Sequence, residues 1–305
     1  MTRILITGAS GLLGINLALQ AQAEGYEVVG WANDSFVQHA PFTIHQVNLL
    51  EMDKIASRVV AVNPDLVIHC AALASLEGSE ADPDLASMLN GEVPGVIAHV
   101  AQQNDIKMIH ISTDAVFDGI KGGYTEEDPP SPLNQYAQTK LAGEYAVQKA
   151  YPQAIVARVN FYGWSLSGKR SLAEFFYTNL SASSPVNGFS DVFFCPLFTE
   201  QLGATLFEMA QSGLKGLYHV LSSESLSKYE FGIRLAQLFG FDCELISPIS
   251  IKDAGLKAVR SPNMTLSVAK IEHDLGHAMP GQDECLESLY QSFNAGMPGK
   301  IQACR

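Results

Sequence analysis

The stretch TGASGLLG, from Thr7 to Gly14, lies between a β-rich apolar run and a segment with helical periodicity. It has the form G-x-x-G-x-x-G, with glycines at positions 8, 11 and 14. Glycines allow the backbone to turn sharply, to approach a pyrophosphate and to pack the helix against the strand. The following helix adds N–H donors and the positive end of its dipole. In this strand–turn–helix setting, the stretch predicts a dinucleotide-binding loop.

Strand and helix patterns alternate around this loop over the first half of the chain. The strand-like runs lie at 3–8, 26–31, 42–48, 65–73, 107–113 and 154–159, and the helical segments between them include 12–25, 52–63, 85–103 and a helix that carries Tyr136. Such alternation is typical of a parallel sheet with helices on both faces. We therefore predict an α/β fold with a Rossmann-type, doubly wound parallel sheet.

The regularity weakens after residue 160, which indicates a second part of the chain. Residues 215–222 have the pattern of one more strand, and a helix is predicted from Ser227 as N-cap to Gly240 as its end. We predict that residues 1–160 form the dinucleotide-binding domain, completed by a later strand and helix near 200–222. Residues 161–199 and 223–305 are predicted to form a smaller mixed α/β substrate lobe near the C-terminus.

The composition limits the classes of partner and site. The 305 residues include 19 Lys and Arg against 32 Asp and Glu, a formal net charge of −13, which repels phosphate backbones, so no nucleic-acid partner is expected. Five widely spaced cysteines without a C-x-x-C pair indicate neither a disulfide framework nor a metal site. No apolar run reaches membrane-spanning length and the first residues lack the layout of a signal peptide, so we expect a cytoplasmic protein without a membrane partner.

A second motif, NQYAQTK, places Tyr136 and Lys140 four residues apart. On a helix these two positions share one face. A nearby ammonium favours the phenolate and lowers the tyrosine pKa from its usual value of about 10, so that the phenol becomes a usable general acid or base. Such a pair alone is more often a packed ring beside an extended lysine. Next to a dinucleotide loop, it predicts a proton donor for the alkoxide that hydride transfer produces.

The residues do not decide which dinucleotide binds. An NAD site usually ends its second strand with an acid that binds the adenosine ribose. Ala32 or Asn33 occupies that position here, and Asp34 follows, where it either reaches the ribose or lies in a solvated loop. No Lys or Arg lies between Arg3 and Lys54 to bind a 2′-phosphate. Both NADP(H) and NAD(H) therefore remain open.

Taken together, the motifs resemble the extended short-chain dehydrogenase/reductase superfamily over nearly the whole chain. The glycine loop is similar to its TGxxGxxG motif, and Tyr136 and Lys140 to its Tyr-x-x-x-Lys pair. STDAVFDG, followed by YTEEDPPSPLNQYAQTKLAGE and later by RSPNMTLSVAKIEHDLG, resembles the dTDP-4-dehydrorhamnose reductase branch. Three segments depart from that branch: Ala115 replaces an aromatic residue, RVNFYGWS is offset by one residue, and SDVFFCP differs from the usual substrate-side loop. These departures concern the sugar, which need not be of the rhamnose type.

The resemblance implies reduction of the C4 ketone of a nucleotide-linked deoxysugar by reduced nicotinamide. Tyr136 would protonate the alkoxide, and Thr113 would hydrogen-bond the same oxygen. Lys140 would lower the tyrosine pKa and hold the nicotinamide ribose, with Asn90 supporting Lys140. The residues expected to bind the cofactor are Gly8, Ser10, Gly11, Leu12, Leu13, Gly14, Asn33, Asp34, Asn48, Leu49, Cys70, Ala71, Ala72, Tyr136 and Lys140. Those expected to bind the substrate are Thr113, Asp114, Ala115, Phe161, Trp164 and Arg260.

Two of the substrate residues have alternative interpretations. Trp164 would either stack on a base or sugar or fill an interface between lobes. Arg260 would either pair with the diphosphate or form an ordinary surface ion pair.

The resemblance also admits other functions on the same frame. A 4,6-dehydratase needs an acid at the position of Ala115, which excludes it. A 4-epimerase with tightly bound NAD tolerates a small residue there and stays open. The regulatory subunit of methionine adenosyltransferase resembles the same reductases without being catalytic, although the set of Thr113, Tyr136 and Lys140 favours an enzyme. Pairing into a homodimer through the helices near Asn90 and Tyr136 is also open.

Overall fold

The computed structural model describes residues 2–33, 37–253, 255 and 261–305. The strands are β1 (Arg3–Thr7), β2 (Glu27–Ala32), β3 (Thr43–Gln46), β4 (Leu66–His69), β5 (Lys107–Thr113), β6 (Ile155–Val159), β7 (Phe161–Tyr162), β8 (Val186–Phe189), β9 (Phe193–Phe194), β10 (Leu197–Phe198), β11 (Gly216–Val220), β12 (Leu226–Ser227), β13 (Ile246–Ile249) and β14 (Asn263–Met264). The α-helices are α1 (Leu12–Ala23), α2 (Met52–Val62), α3 (Leu76–Ala81), α4 (Pro83–Ala86), α5 (Val93–Gln103), α6 (Gln135–Ala150), α7 (Leu172–Ser181), α8 (Thr199–Gln211), α9 (Lys228–Phe239), α10 (Ala269–Leu275), α11 (Gln282–Asn294) and α12 (Met297–Ala303). Within the described ranges, none of these helices combines the length and apolar character needed to cross a bilayer.

A parallel sheet forms the centre of the described structure, with seven strands in the order β3-β2-β1-β4-β5-β6-β11. Every neighbouring pair is parallel. Strands such as β4 are buried along their whole length, which is why they read as continuous apolar runs. The strand order reverses between β1 and β4, where a crevice opens at the carboxyl ends of a doubly wound sheet. The predicted Rossmann-type fold is confirmed.

The two faces of the sheet carry separate cores. Side chains alternate along a strand, so Ile4 and Ile6 of β1 join a cluster that includes Leu17 of α1 and Leu206 of α8. Leu5, between them, joins the opposite cluster with residues of α2, α5 and α6. The second face matters for the site, because α6 lies across it.

The chain beyond residue 160 returns once to the central sheet. β11 pairs with β6, in agreement with the strand predicted near 215–222. The rest forms short sheets, β10–β7, β12–β9–β14 and β13–β8, with several helices. α9 begins at a capping box formed by Ser227 and Glu230 and ends at Gly240, whose φ is +72°, so both predicted ends of this helix are confirmed. The division into two domains stays a prediction.

The helix predicted over 85–103 is interrupted, contrary to its continuous pattern. α4 is followed by a π-helical segment, Ser87–Glu92, before α5 begins. Pro94 explains the break, because it has no N–H to donate to the carbonyl of Asn90 and its ring crowds that carbonyl. The freed Asn90 carbonyl points at α6, where a Cβ on Gly143 would lie only 2.2 Å from it. Such π-bulges are frequent at functional sites.

Candidate active site

The glycine loop lies at the carboxyl end of β1 and leads into α1. A Cβ on Gly8 would lie 2.8 Å from the backbone of Ala71, and one on Gly14 would lie 2.2 Å from Gly8 O. Gly11 caps α1 without a side-chain hydrogen bond, and the first turn holds no acidic residue. The first N–H groups of α1 can therefore bind an anion such as a diphosphate, and these residues fit a dinucleotide. The predicted loop residues differ in exposure: partly exposed are Ser10, Gly11 and Leu12, and buried are Leu13 and Gly14.

The loop after β4 forms the wall opposite the glycine loop. Cys70 N donates to Thr7 O at 3.2 Å, and Ala71 N donates to Thr7 Oγ1 at 3.3 Å. Cys70, Ala71 and Ala72 are partly buried. Burial raises the pKa of the Cys70 thiol to about 12, although Lys140 acts in the opposite direction. The thiol therefore stays protonated, as part of a wall rather than as a nucleophile.

The residues predicted on the adenosine side lie at the ends of β2 and β3. Asn33 is exposed, and its carbonyl accepts a hydrogen bond from Gln46 Nε2 at 3.0 Å. Asn48 is also exposed, and its Oδ1 accepts from Leu50 N at 3.0 Å. Leu49 is buried, with 7% exposure. Among the members of this set that the structure describes, the two asparagines are the ones that present polar groups to solvent at this edge.

A basic residue that the sequence spacing did not suggest reaches the same edge. Arg58 of α2 donates from NH1 to Asn48 O at 3.3 Å, while its NH2 lies 2.6 Å from Glu51. Lys54 pairs with Glu51 as well, at 2.5 Å. The two cations thus share one carboxylate beside Asn48. Asp34 lies outside the described residues, and the choice between NAD and NADP stays open.

Tyr136 stands in the first turn of α6. Asn134 caps this helix by accepting from Ala137 N at 2.9 Å. The Tyr136 phenol lies close enough to Thr113, at the end of β5, for that hydroxyl to act on the tyrosine pKa. Burial raises the tyrosine pKa to about 12; Thr113 opposes this, and the charge of Asp114 adds to it. A phenol with such a pKa stays protonated at neutral pH.

Lys140 lies one turn further along the same helix face. Its side chain is buried, with 3% exposure, and Nζ donates to Ile111 O at 2.7 Å. Burial lowers the lysine pKa to about 8, against the effects of Glu144 and Cys70. Burial makes the net shift of the Tyr136 pKa upward, and Lys140 Nζ is held by the backbone of β5. The action of Lys140 on the tyrosine pKa stays a prediction.

Asn90 lies in the π-helical segment and is completely buried. Its Oδ1 accepts from Leu73 N at 2.8 Å, and its Nδ2 donates to Leu73 O at 3.2 Å and to Thr139 Oγ1 at 3.1 Å. Asn90 thus ties the loop after β4 to α6, one residue before Lys140. The side-chain contacts of Asn90 in the described structure are with Leu73 and Thr139, and its support of Lys140 stays a prediction.

A buried ion pair holds the next turn of α6. Glu144 and Arg158 of β6 have 1% and 3% side-chain exposure and approach to 2.8 Å. Arg158 Nε also donates to both carboxylate oxygens, at 3.0 and 3.2 Å, and Ser112 Oγ donates to Oε1 at 2.5 Å. Because both oxygens of this carboxylate accept hydrogen bonds, the ion pair satisfies the condition under which buried charges are tolerated.

Asp114 follows Thr113 and is buried, with 3% exposure. Its Oδ1 accepts from Thr113 Oγ1 at 3.2 Å and its Oδ2 from Asn160 Nδ2 at 2.6 Å. Burial raises its pKa to about 6, although both hydrogen bonds, the charge of Lys228 and the N–H of Ala115 act in the opposite direction. The hydroxyl of Thr113 therefore lies between a phenol and a carboxylate.

The remaining predicted substrate residues differ in position. Phe161 is partly exposed near the carboxyl end of β6. Trp164 has 3% exposure and packs edge-on against Tyr177, with ring centroids 5.7 Å apart, and against Phe293 at 5.8 Å. These contacts favour the interpretation of Trp164 as a filler between elements. Arg260 lies outside the described residues.

Sequence reasoning missed two residues beside Asp114. Asn160 directly follows β6, and its place at the carboxyl end of a central strand is a signal that could have identified it. Lys228 opens α9 and reaches the site only through the folding of the second half, so no local pattern marks it. In the ranges that the structure describes, no group of three or more His, Cys, Asp or Glu side chains is arranged to hold a metal ion.

A family model described as the RmlD substrate binding domain matches residues 1–295. A Haloferax volcanii protein, the probable low-salt glycan biosynthesis reductase Agl14, is 32% identical over 296 residues, which cover 95% of this chain and 97% of the relative. The mouse methionine adenosyltransferase 2 subunit beta is 31% identical over 298 residues, covering 94% of this chain and 87% of the relative.

Solved structures show the same fold. A dTDP-4-dehydrorhamnose reductase from Bacillus anthracis, crystallised in complex with NADP, superposes with a TM-score of 0.86 at 24% identity, covering 96% of this chain and 100% of that one. A hypothetical dTDP-4-dehydrorhamnose reductase from Sulfolobus tokodaii superposes with a TM-score of 0.82 at 26% identity, covering 94% and 98%.

Proposed function

Because this chain belongs to the RmlD substrate binding domain family, we propose that it is a nicotinamide-dependent reductase of a keto group on a nucleotide-linked deoxysugar. One observation carries the proposal. Tyr136 and Lys140 lie one turn apart on α6, and Thr113, which is distant in sequence, lies beside them at the carboxyl end of β5 near the glycine loop. The reductases among the relatives and the structural neighbours support the same class of reaction.

The chain's own residues would hold the cofactor at the carboxyl ends of β1 and β4. The N–H groups at the start of α1 would bind the diphosphate, and the loop of Cys70, Ala71 and Ala72 would cover the nicotinamide side. A reduced nicotinamide bound there supplies the hydride. The selectivity between NADP(H) and NAD(H) stays open, since Arg58 and Lys54 are already paired with Glu51.

Tyr136 would act as the proton donor. Its pKa of about 12 keeps the phenol protonated at neutral pH, as reduction of a ketone requires. Thr113 Oγ1, beside the phenol, orients the hydroxyl towards the carbonyl oxygen. Lys140 supplies positive charge from below, where it is fixed by Ile111 O. A positive charge near a developing alkoxide stabilises the transition state.

The substrate would lie between the ends of β5 and β6 and the second half of the chain. We propose residues 161–199 and 223–305 as the substrate lobe, with residues 1–160 and the segment near 200–222 as the dinucleotide domain. Asp114, Ala115 and Phe161 would face the sugar. Lys228 stands close enough to Asp114 to act on its charge, and would contribute a cation for the anionic nucleotide.

The test measures the oxidation of NADPH and of NADH in the presence of a dTDP-4-keto-6-deoxy sugar. The loss of reduced-nicotinamide absorbance reports this oxidation. We expect stoichiometric oxidation by the wild type and a loss of about 10²–10⁴-fold in kcat for Tyr136→Phe. Tyr290→Phe on α11, outside the site, is the matched control and should retain activity. No oxidation with either cofactor would overturn the substrate assignment, and bound NAD with epimerised product would favour the 4-epimerase.

A second candidate function is that of a non-catalytic regulatory subunit, because the mouse methionine adenosyltransferase 2 subunit beta is 31% identical to this chain over 298 residues. It predicts a stable complex with a methionine adenosyltransferase catalytic subunit. Size-exclusion chromatography of the mixed proteins measures this directly. Co-elution together with an inactive reductase assay would favour the binding role.

We also propose self-association through α5, α6 and the π-helical segment. Met88 and Tyr145 on these elements are large apolar side chains with 36% and 55% exposure. Such exposed side chains on neighbouring helices are suited to a contact between copies. Light scattering of the purified protein, with Tyr145→Glu as the disrupting variant, tests for the dimer.

A further inference from the structure

A pair of buried histidines lies beneath Lys140, and the catalytic scheme does not use it. His69 of β4 and His110 of β5 are directly opposite in the sheet register, and both are 0% exposed. Their rings stack with centroids 5.3 Å apart and an interplanar angle of 22°. It is unusual for a completely buried histidine only to fill space in a core, because each ring has two polar nitrogens that need hydrogen-bond partners.

Most of these nitrogens have no protein partner. His69 Nδ1 lies 2.7 Å from Thr7 Oγ1. Among the residues that the structure describes, His69 Nε2, His110 Nδ1 and His110 Nε2 find no hydrogen-bond partner. A buried polar group left unpaired costs about 1–3 kcal/mol, so three in one place indicate a polar site that takes further hydrogen bonds.

In the described structure, the Lys140 ammonium has more hydrogen-bond donors than acceptors around it. An ammonium carries three N–H donors, and in the described structure Ile111 O is the acceptor found for them, at 2.7 Å. Ile111 neighbours His110 on β5, and the charge of Lys140 acts on both rings. The other groups that act on the charge of Lys140 are Glu144, on its own helix, and Cys70, after β4.

We infer that His69 and His110 are positioning residues for Lys140, to which they offer their free ring nitrogens through one or two internal water molecules. A buried water typically makes about three hydrogen bonds to such groups. Both rings are neutral, because burial and the charge of Lys140 lower the pKa of His69 to about 3 and that of His110 well below its ordinary value. Each neutral ring therefore keeps one acceptor nitrogen, and neither repels the ammonium.

The importance of this site for catalysis depends on the proposed role of Lys140, so the primary test does not use substrate. Lys140 is titrated by the pH dependence of its acylation, followed by peptide mass spectrometry, in wild type, His110→Phe and His110→Gln. The phenylalanine fills the space without a polar atom, whereas glutamine keeps a donor and an acceptor. Loss of one hydrogen bond to the charged form should lower the lysine midpoint by about one pH unit in His110→Phe, and His110→Gln should restore most of it.

Equal Lys140 midpoints in all three proteins would overturn the inference. A crystal structure of the wild type at high resolution provides a second test that survives poor folding of a variant. Water within hydrogen-bond distance of His110 and connected to Lys140 Nζ supports the site, and a dry contact between the two rings contradicts it. Where the reductase assay succeeds, the alkaline limb of kcat/KM should move with the Lys140 midpoint; where it fails, the titration still decides the positioning role.

Discussion

The stability of the Asp114→Asn variant relative to the wild type should increase as the pH rises. Asp114 is buried at 3% exposure, and burial raises its pKa from 3.8 to about 6. A folded-state pKa above the unfolded value means that the native state binds more protons than the unfolded state between those two values. By linkage, the stability of the wild type therefore falls as the pH rises from about 4 to about 6. Asparagine cannot ionise, so the variant lacks this loss.

The size of the effect follows from the same rise. From 3.8 to about 6, at about 1.4 kcal/mol for each pH unit, the ionised carboxylate lowers the free energy of unfolding by about 3 kcal/mol. Thr113 and Asn160 both donate hydrogen bonds to the Asp114 carboxylate. In Asp114→Asn, an NH₂ group replaces one of the two accepting oxygens, which costs about 1–3 kcal/mol at every pH. The contribution of the Asp114 charge is therefore obtained from the pH dependence of the difference in free energy of unfolding between variant and wild type.

Urea unfolding of both proteins at several pH values from 4 to 7 measures this difference. We expect the free energy of unfolding of Asp114→Asn to gain about 2–3 kcal/mol on that of the wild type across this range. Asp128→Asn is the control: the Asp128 side chain is partly exposed, at 21%, and its pKa is lowered to about 2, first by its bond to Lys121, so its contribution changes only below about pH 4. A constant difference between Asp114→Asn and wild type over the whole range would refute the reasoning.

Three further predictions concern the frame of the site. Glu144→Gln leaves Arg158 buried without its counter-ion and should lower the free energy of unfolding by about 3–5 kcal/mol. The double variant Glu144→Gln with Arg158→Met should recover much of that loss, as chemical denaturation of both variants would show. Equal losses in the two variants would count against the importance of the ion pair. Gly14→Ala places a Cβ 2.2 Å from Gly8 O, so the loop must shift, and calorimetry should show at least a tenfold weaker affinity for NADPH or NADH. Ser227→Ala removes the cap of α9 and should cost about 1 kcal/mol in denaturant unfolding, with an unchanged midpoint as the contrary result.

Much of the fold was predictable, because its signals are local. The glycine pattern, the apolar runs and the intervening helices depend on backbone geometry and on which side chains tolerate burial. The ends of α9 followed from a capping serine and a left-handed glycine in the same way. The π-helical break before Pro94 was also readable in principle, since proline removes one defined hydrogen bond. The continuous apolar pattern over 85–103 obscured it.

The amino-acid sequence by itself determined the Rossmann-type sheet, the dinucleotide loop and the placing of Tyr136 and Lys140 on one helix face. Only the tertiary structure decided their environment: the raised pKa of Tyr136, the buried Glu144 beyond Lys140, and the histidines beneath it. The reason is physical. A helix or strand follows from neighbours in the chain, whereas a pKa or an unpaired nitrogen depends on burial and on charges that strands distant in sequence bring together.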